Sequence, residues 1–166
     1  KGSSVLTSSV LTSSVLTSSV LTSFVFTSCA GGSRILIFSI GISSVKEIEK
    51  LNILQASLLS MKRAILNLSK KPDLVLVDGI FAPKISSKCK TIIKGDEKIK
   101  CISAASILAK VYRDKAMIRI SKKFKNYSWN KNFGYGTKQH MLGLKKYGLT
   151  TMHRKNFNPI HKMLLK

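Results

Sequence analysis

The chain has 166 residues, and its 29 Lys and Arg against seven Asp and Glu give a formal net charge of +22 at pH 7. A hydrophobic content of 44% is enough for a single core and excludes a disordered composition. The basic excess predicts a polyanionic partner, and charge alone leaves nucleic acid and an anionic membrane undecided. A generic lysine-rich surface is the alternative.

The N-terminal segment is a repeat. Residues 3–22 are four copies of Ser-Ser-Val-Leu-Thr, and residues 23–27 are a degenerate fifth copy. A period of five fits neither the two-residue period of a half-buried strand nor the 3.6-residue period of a helix. We therefore predict a low-complexity, disordered segment over residues 1–34, with no stable native contact from residues 1–30. Its origin is open between a leader with a lipidation site, a membrane helix and, favoured here, a tandem nucleotide repeat that has replaced the start of the gene.

From residue 35 the pattern becomes globular. Residues 35–42 are predicted as a strand, and Ser44 as the N-cap of a helix in which Glu47 completes a capping box. The remaining predicted elements are an amphipathic helix over 51–68, strands over 74–78 and 91–93, and helices over 102–125 and 137–147, the last stopped by Gly148. Residues 35–166 contain no apolar stretch of the ~20 residues that a membrane span needs, so no membrane partner is expected.

Two of the few acidic residues suggest a metal site. Asp78 ends the apolar run Leu74-Val75-Leu76-Val77, and Asp96 lies in Lys94-Gly95-Asp96. A carboxylate at the C-terminal tip of a buried strand is where open α/β sheets place their chemistry. Taken alone, Asp78 would be a turn residue and Asp96 a helix cap. The three cysteines and three histidines show no ligand spacing, which argues against a zinc or disulfide framework and makes a reducing, cytoplasmic location the default.

Four ordered segments carry a family resemblance. They are residues 45–54, residues 103–114 (Ser-Ala-Ala-Ser-Ile-Leu-Ala-Lys-Val-Tyr-Arg-Asp), residues 134–140 (Gly-Tyr-Gly-Thr-Lys-Gln-His) and residues 153–157 (His-Arg-Lys-Asn-Phe). In order and spacing they resemble the ribonuclease HII family over roughly residues 35–166. The resemblance implies a ribonuclease H-like α/β fold, a mixed sheet with flanking helices, whose first strands are replaced by the low-complexity tract. Residues 35–166 would then be an incomplete catalytic domain.

The resemblance also implies a function. Ribonuclease HII enzymes are endoribonucleases that cleave the RNA strand of RNA–DNA hybrids, and single ribonucleotides in duplex DNA, by two-metal hydrolysis with Mg²⁺ or Mn²⁺. Four carboxylates hold the metals in the family, and Asp78 and Asp96 match the third and fourth. The predicted substrate contacts are Tyr135, matching a tyrosine that stacks near the scissile junction, together with Lys94, Ser103, Ser106, Lys110, Thr137 and Arg154. A core aromatic is the alternative for Tyr135, and we expect Arg113 and Asp114 to form a structural ion pair.

Two family motifs are missing. The first two carboxylates belong to an Asp-Glu pair on the family's first strand, and a Gly-Arg-Gly loop that senses the ribose 2′-hydroxyl follows them. This sequence has no acidic residue before Glu47, and Asn132-Phe133 stand where the family often has His-Lys. We therefore expect cleavage to be impaired. The protein is predicted to be a monomer. A catalytically dead nucleic-acid-binding remnant and a decayed gene product that never accumulates are the alternatives.

Overall fold

The structure is a computed structural model that describes residues 5–10, 20–28, 36–158 and 160–165. Its strands are β1 (Val5–Val10), β2 (Val20–Ser28), β3 (Leu36–Ser44), β4 (Leu74–Asp78) and β5 (Lys88–Ile92). Its helices are α1 (Val45–Leu66), α2 (Gly95–Lys98), α3 (Lys100–Lys123), α4 (Trp129–Asn132), α5 (Lys138–Tyr147) and α6 (Ile160–Leu164), with a 3-10 turn at Lys125–Tyr127. Within these ranges no helix is both long and apolar enough to span a bilayer.

The five strands form one mixed sheet in the order β3-β2-β1-β4-β5. Strand β2 pairs antiparallel with both β1 and β3, whereas β4 runs parallel to β1 and to β5. The carboxyl ends of β1, β4 and β5 therefore lie at the same edge of the sheet. Along the chain α1 lies between β1 and β4, whereas residues 79–87 connect the parallel strands β4 and β5 without a helix. The predicted fold class, a mixed α/β sheet with flanking helices, is confirmed.

Two strands lie within the repeat, where we expected no stable native contact. The structure places β2 between β3 and β1, and β1 between β2 and β4. A period of five does not prevent pairing, because ladder hydrogen bonds use backbone groups, and Val and Thr favour extended backbone. The other residues of the predicted segment, 1–4, 11–19 and 29–34, lie outside the described residues, and the domain division at residue 34 stays a prediction.

Two successive residues of β3 contact different helices. Gly41 lies so close to α1 that a Cβ on it would be 1.9 Å from Ser60 O, so only glycine fits this approach. The preceding residue, Ile40, packs against Ala105 of α3. Because successive strand residues point to opposite faces of a sheet, α1 and α3 cover opposite faces. The sheet is thus the middle layer of three.

Helix α1 begins with the capping box that the sequence predicts. Ser44 Oγ accepts from Glu47 N at 3.3 Å, and Glu47 Oε2 accepts from Ser44 N at 2.8 Å. The helix breaks at Asn52, which has a φ of 68°, and the Asn52 side chain caps the second part by accepting from Gln55 N at 3.0 Å. The tolerance of Asn for a positive φ is the one feature of the sequence here that is compatible with such a break.

A cluster of buried side chains surrounds Trp129 beside the C-terminal half of α3. Met117, Tyr127 and Leu144 pack around the indole, which is fully buried. The Tyr127 and Trp129 rings stack with centroids 5.0 Å apart. Helix α5 begins at the Thr137 cap and ends at Gly148, as predicted. This cluster supports the segment that carries Tyr135.

Candidate metal and nucleic-acid site

Asp78 lies at the tip of β4, where the sheet edge meets α2. The strand is buried on both faces, and Gly79 N donates to Ile92 O at 3.0 Å to close the β4–β5 ladder. The chain then turns through Lys94, which has a φ of 55°, into α2. Gly95 N donates to Asp78 Oδ1 at 2.8 Å. A backbone hydrogen bond thus fixes one oxygen of this half-buried carboxylate.

Asp96 follows directly after the residue that holds Asp78. Its side chain is exposed, and its Oδ1 accepts from Glu97 N at 3.1 Å. Asp78 and Asp96 therefore lie at the junction of β4 and α2, and their joint role as metal ligands stays a prediction. Two clustered carboxylates offer the oxygen ligands that hard divalent cations prefer.

The two aspartates do not form a complete ligand set by themselves. Among the side chains that the structure describes, no group of three or more His, Cys, Asp or Glu is arranged to hold a metal. Asp78 also borders a cavity of about 280 Å³ between α1 and the loop after β4, which Met61 and Phe81 help to line. The chemistry of the pair fits a divalent cation, but the pair provides only two of the four carboxylates that the family resemblance implies.

The predicted phosphate contacts of α3 lie on one side of the helix. Ser103, Ser106 and Lys110 follow one another at spacings of three and four residues, which brings them onto a common face. Lys110 is exposed and the two serines are half-buried. Lys94, at the α2 end of the site, is exposed and forms a 3.5 Å ion pair with Glu97. Hydroxyl and ammonium groups of this kind suit a phosphate backbone.

Tyr135 lies on a tight turn that several groups hold in place. Its side chain is 40% exposed, so the alternative of a buried core aromatic is wrong. The Arg113 guanidinium lies 5.2 Å from the centroid of the Tyr135 ring and donates to Phe133 O at 2.9 Å. Thr137 N donates to Tyr135 O at 2.8 Å, which joins the predicted contacts Tyr135 and Thr137. Phe133 itself has a positive φ of 47°.

Two histidines meet inside the cluster around Trp129. His140 and His153 are 0% and 1% exposed, and their Nε2 atoms are 3.3 Å apart. Burial lowers the pKa of His140, and burial together with the neighbouring His140 lowers the pKa of His153 to about 4. In the sequence, the histidines show no spacing that predicts a metal cluster. Their separation of 13 positions in the sequence hides a contact that only the tertiary fold creates.

Arg113 and Arg154 are both buried. As expected, Arg113 forms an ion pair with Asp114, with Nη1 3.3 Å from Oδ1. Arg154 is 3% exposed and lies 4.4 Å from the centroid of the Phe157 ring. Burial and the neighbouring charge of Arg113 lower the pKa of Arg154 to about 10. The predicted contact of Arg154 with substrate stays a prediction, and its side chain lines a cavity together with Ile48 and Asn52 of α1.

Comparisons with known proteins show the family of this chain. The sequence profile of the family described as Ribonuclease HII matches residues 28–161. The chain belongs to the ribonuclease HII family. Members of this family are metal-dependent endonucleases that act on RNA–DNA hybrids.

Individual relatives extend the comparison. The chain is 57% identical over 129 residues to a ribonuclease HII of Pelagibacter ubique, a match that covers 77% of this chain and 69% of that protein. It is 52% identical over 126 residues to a ribonuclease HII of Trichodesmium erythraeum, covering 72% of this chain and 57% of that protein. The crystal structure of ribonuclease H2 from Pyrococcus horikoshii superimposes with a TM-score of 0.75 at 17% identity over 96% of both chains, which supports the fold.

Proposed function

We propose that this chain cleaves the RNA strand of RNA–DNA hybrids, and single ribonucleotides in duplex DNA, by metal-dependent phosphodiester hydrolysis. One observation carries the proposal: the Asp78 carboxylate at the tip of β4 is held by the backbone of Gly95, immediately before Asp96. In a member of the ribonuclease HII family, this pair has the chemistry expected at the centre of the active site.

Asp78 and Asp96 are the proposed metal ligands, and Mg²⁺ or Mn²⁺ the proposed metals. Both cations prefer carboxylate oxygens. A bound divalent cation would activate water and compensate the charge that develops on the phosphate. The role of the protein is to hold the two carboxylates at the sheet edge, where Gly95 N leaves Asp78 little freedom to rotate.

The proposed substrate is held by groups on both sides of this pair. Lys94, Ser103, Ser106 and Lys110 would contact phosphates, and the exposed Tyr135 ring would stack beside the scissile junction, with Thr137 in the same turn. Arg154 is the remaining proposed substrate contact, on the ground of the family's His-Arg motif. The net charge of +22 favours association with a nucleic-acid backbone and should make binding strongly dependent on salt.

We expect cleavage to be slow, because half of the family's carboxylates are missing from the sequence. Strand β1 runs parallel to β4, and its last pair in the ladder joins Ser8 to Val77. Continuing this register by one residue brings Ser9 level with Asp78. The position next to the proposed metal ligand is thus occupied by a serine, which carries no negative charge. Losing ligands from a metal site reduces both metal affinity and charge compensation.

The second candidate function is nucleic-acid binding without cleavage. The basic composition and the Tyr135 turn support this function without any metal. In either case we propose a monomeric protein of the cytoplasm.

Cleavage of a labelled RNA–DNA hybrid separates the two functions. Wild-type protein and an Asp78→Asn variant are incubated with the hybrid in Mg²⁺, in Mn²⁺ and in EDTA, and binding is measured in parallel. The proposal predicts cutting that requires metal and is lost in Asp78→Asn, with binding retained. Hybrid binding without metal-dependent cutting would instead favour the second function, and failure to bind hybrid at low salt would exclude both.

A further inference from the structure

The buried pair His140 and His153 has no role in the function proposed above. Buried polar side chains are costly unless all their hydrogen-bonding groups are satisfied, so a network at the centre of a cluster needs an explanation. Each ring nitrogen of the pair has a partner on the protein. The pair also lies directly behind the Tyr135 turn, since His140 Nδ1 is 2.9 Å from Tyr135 O.

The partners determine which nitrogen of each ring carries the proton. Tyr135 O can only accept, so His140 Nδ1 must be the protonated nitrogen. His140 Nε2 is then an acceptor, and Trp129 Nε1 donates to it at 3.2 Å. Thr150 N donates to His153 Nδ1 at 3.0 Å, which leaves the proton of His153 on Nε2, pointing at His140 Nε2. The N–H groups of Trp129 Nε1 and His153 Nε2 then share the single lone pair of His140 Nε2, and both rings are neutral. The lowered pKa of each histidine agrees with this state.

This network controls the backbone of the Tyr135 turn from one side. Tyr135 O receives two hydrogen bonds, one from His140 Nδ1 and one from Thr137 N. From the other side, Arg113 donates to Phe133 O. Phe133 and Gly134 both have positive φ values, so the turn has an unusual backbone that its surroundings must maintain. The Tyr135 ring, which is exposed, takes its direction from this turn.

We propose that His140 is a positioning residue that fixes the Tyr135 ring for contact with nucleic acid, and that His153 and Trp129 hold His140 in the tautomer this task requires. The proposal rests on the proposed function in one respect, namely that Tyr135 contacts the substrate. The position of the turn does not depend on that contact and can be measured without substrate.

Two substitutions of His140 test the roles of its two ring nitrogens, Nδ1 and Nε2, separately. In His140→Asn the amide nitrogen takes the place of Nδ1 and can still donate to Tyr135 O, while the contacts of Nε2 are lost. In His140→Gln the amide oxygen takes the place of Nε2 and can accept from Trp129 and His153, while the bond to Tyr135 O is lost. His140→Asn removes one methylene group more than His140→Gln, so a larger effect of His140→Gln cannot come from lost packing volume. Emission of Trp129, the single tryptophan, reports whether each variant folds.

Hydrogen exchange of the segment 133–137, measured by mass spectrometry on the full chain, tests positioning directly. We expect His140→Gln to speed exchange of this segment roughly tenfold or more, because a loosened turn opens more often, and His140→Asn to leave it within about twofold of wild type. Equal effects of the two variants, or no effect of His140→Gln, would overturn the proposal whether or not the chain binds hybrid.

A double-mutant cycle with Tyr135→Ala then tests the functional consequence. Affinity for a labelled RNA–DNA hybrid is measured at fixed salt without metal. His140→Gln should weaken binding about fivefold or more when Tyr135 is present and have no further effect in the Tyr135→Ala background. A purely structural role would weaken both backgrounds equally, and that result would contradict the proposal. If Tyr135→Ala does not alter binding, the assumed contact of Tyr135 is wrong, and the proposal as stated fails although the exchange result still shows that His140 holds the turn.

Discussion

Gly95 N donates to Asp78 Oδ1 at 2.8 Å, which ties the tip of β4 to the first residue of α2. The bond does two things for the candidate site. It satisfies one oxygen of a half-buried carboxylate, and it holds Asp96, the next residue in the chain, in the same region. The site therefore depends on backbone geometry as well as on the two acidic side chains.

Replacing Asp78 by Asn should separate metal binding from folding. The amide oxygen of Asn can still accept from Gly95 N, so the free energy of unfolding should change by less than about 1 kcal/mol. Loss of the negative charge should weaken Mn²⁺ binding at least about tenfold, because hard cations depend on anionic oxygen ligands. Urea unfolding and Mn²⁺ titration monitored by electron paramagnetic resonance measure the two quantities.

Glu97→Gln is the matched control for this experiment. It removes one negative charge from α2 at an exposed residue that pairs with Lys94. If Glu97→Gln weakens Mn²⁺ binding as much as Asp78→Asn does, the effect is one of general charge, and Asp78 is not a specific ligand.

Gly95→Ala should disturb the site through packing alone. A Cβ at Gly95 would lie 2.7 Å from Ile102 Cδ1 and 3.4 Å from Asp78 Oδ1. Such overpacking typically costs about 1–3 kcal/mol, and we expect a loss of this size in the free energy of unfolding. Adding Ile102→Val removes the closest atom and should recover part of the loss. A double variant no more stable than Gly95→Ala would show that the clash with Ile102 is not the cause.

Much of the fold could be predicted because local signals agree with it. The run Leu74–Asp78 is a strand with the predicted bounds, and α5 has both its Thr137 cap and its Gly148 stop. The family resemblance, rather than spacing, brought Asp78 and Asp96 together. The contact of His140 with His153 could not be predicted, because it joins residues that neither helical nor strand periodicity relates. The strands within the repeat could not be predicted from the sequence, because a period of five hides the alternation typical of a strand.

Glu47 should make stability depend on pH in the acidic range. A hydrogen-bonded ion pair with Arg63, 2.6 Å between Nη2 and Oε1, and the Ser44 cap lower the pKa of Glu47 from 4.5 to about 2. A carboxyl group with a lower pKa in the folded state stabilises the fold above its unfolded pKa, and this contribution is lost as the pH falls through the folded value. The contribution of Glu47 should therefore be complete at pH 6 and decline between pH 4.5 and about 2.

Glu47→Gln tests this pH dependence by comparison with wild type. Denaturant unfolding at a series of pH values should show the variant less stable at pH 6 and the difference shrinking below pH 4.5. The side chains of Glu47 and Arg63 are 32% and 41% exposed. Solvent screening therefore keeps the stability difference between variant and wild type small. A difference that stays constant across the range would mean that Glu47 stabilises α1 without titrating.

Introducing carboxylates into β1 should increase cleavage if the proposed function and the register are both correct. Ser8 pairs with Val77 in the parallel ladder, so position 9 is level with Asp78 and position 10 follows it at the same sheet edge. A Ser9→Asp, Val10→Glu variant would bring the acidic residues at the edge to four, the number that the family resemblance implies. We expect metal-dependent cleavage of an RNA–DNA hybrid to rise at least about tenfold, since added anionic ligands increase both metal affinity and charge compensation. Ser8→Asp is the control, because it adds a negative charge one position earlier in β1, at the residue that pairs with Val77 rather than beside Asp78. Cleavage that rises equally in Ser8→Asp, or that stays unchanged in the double variant while Mn²⁺ binding increases, would contradict the proposed role of this edge of the sheet.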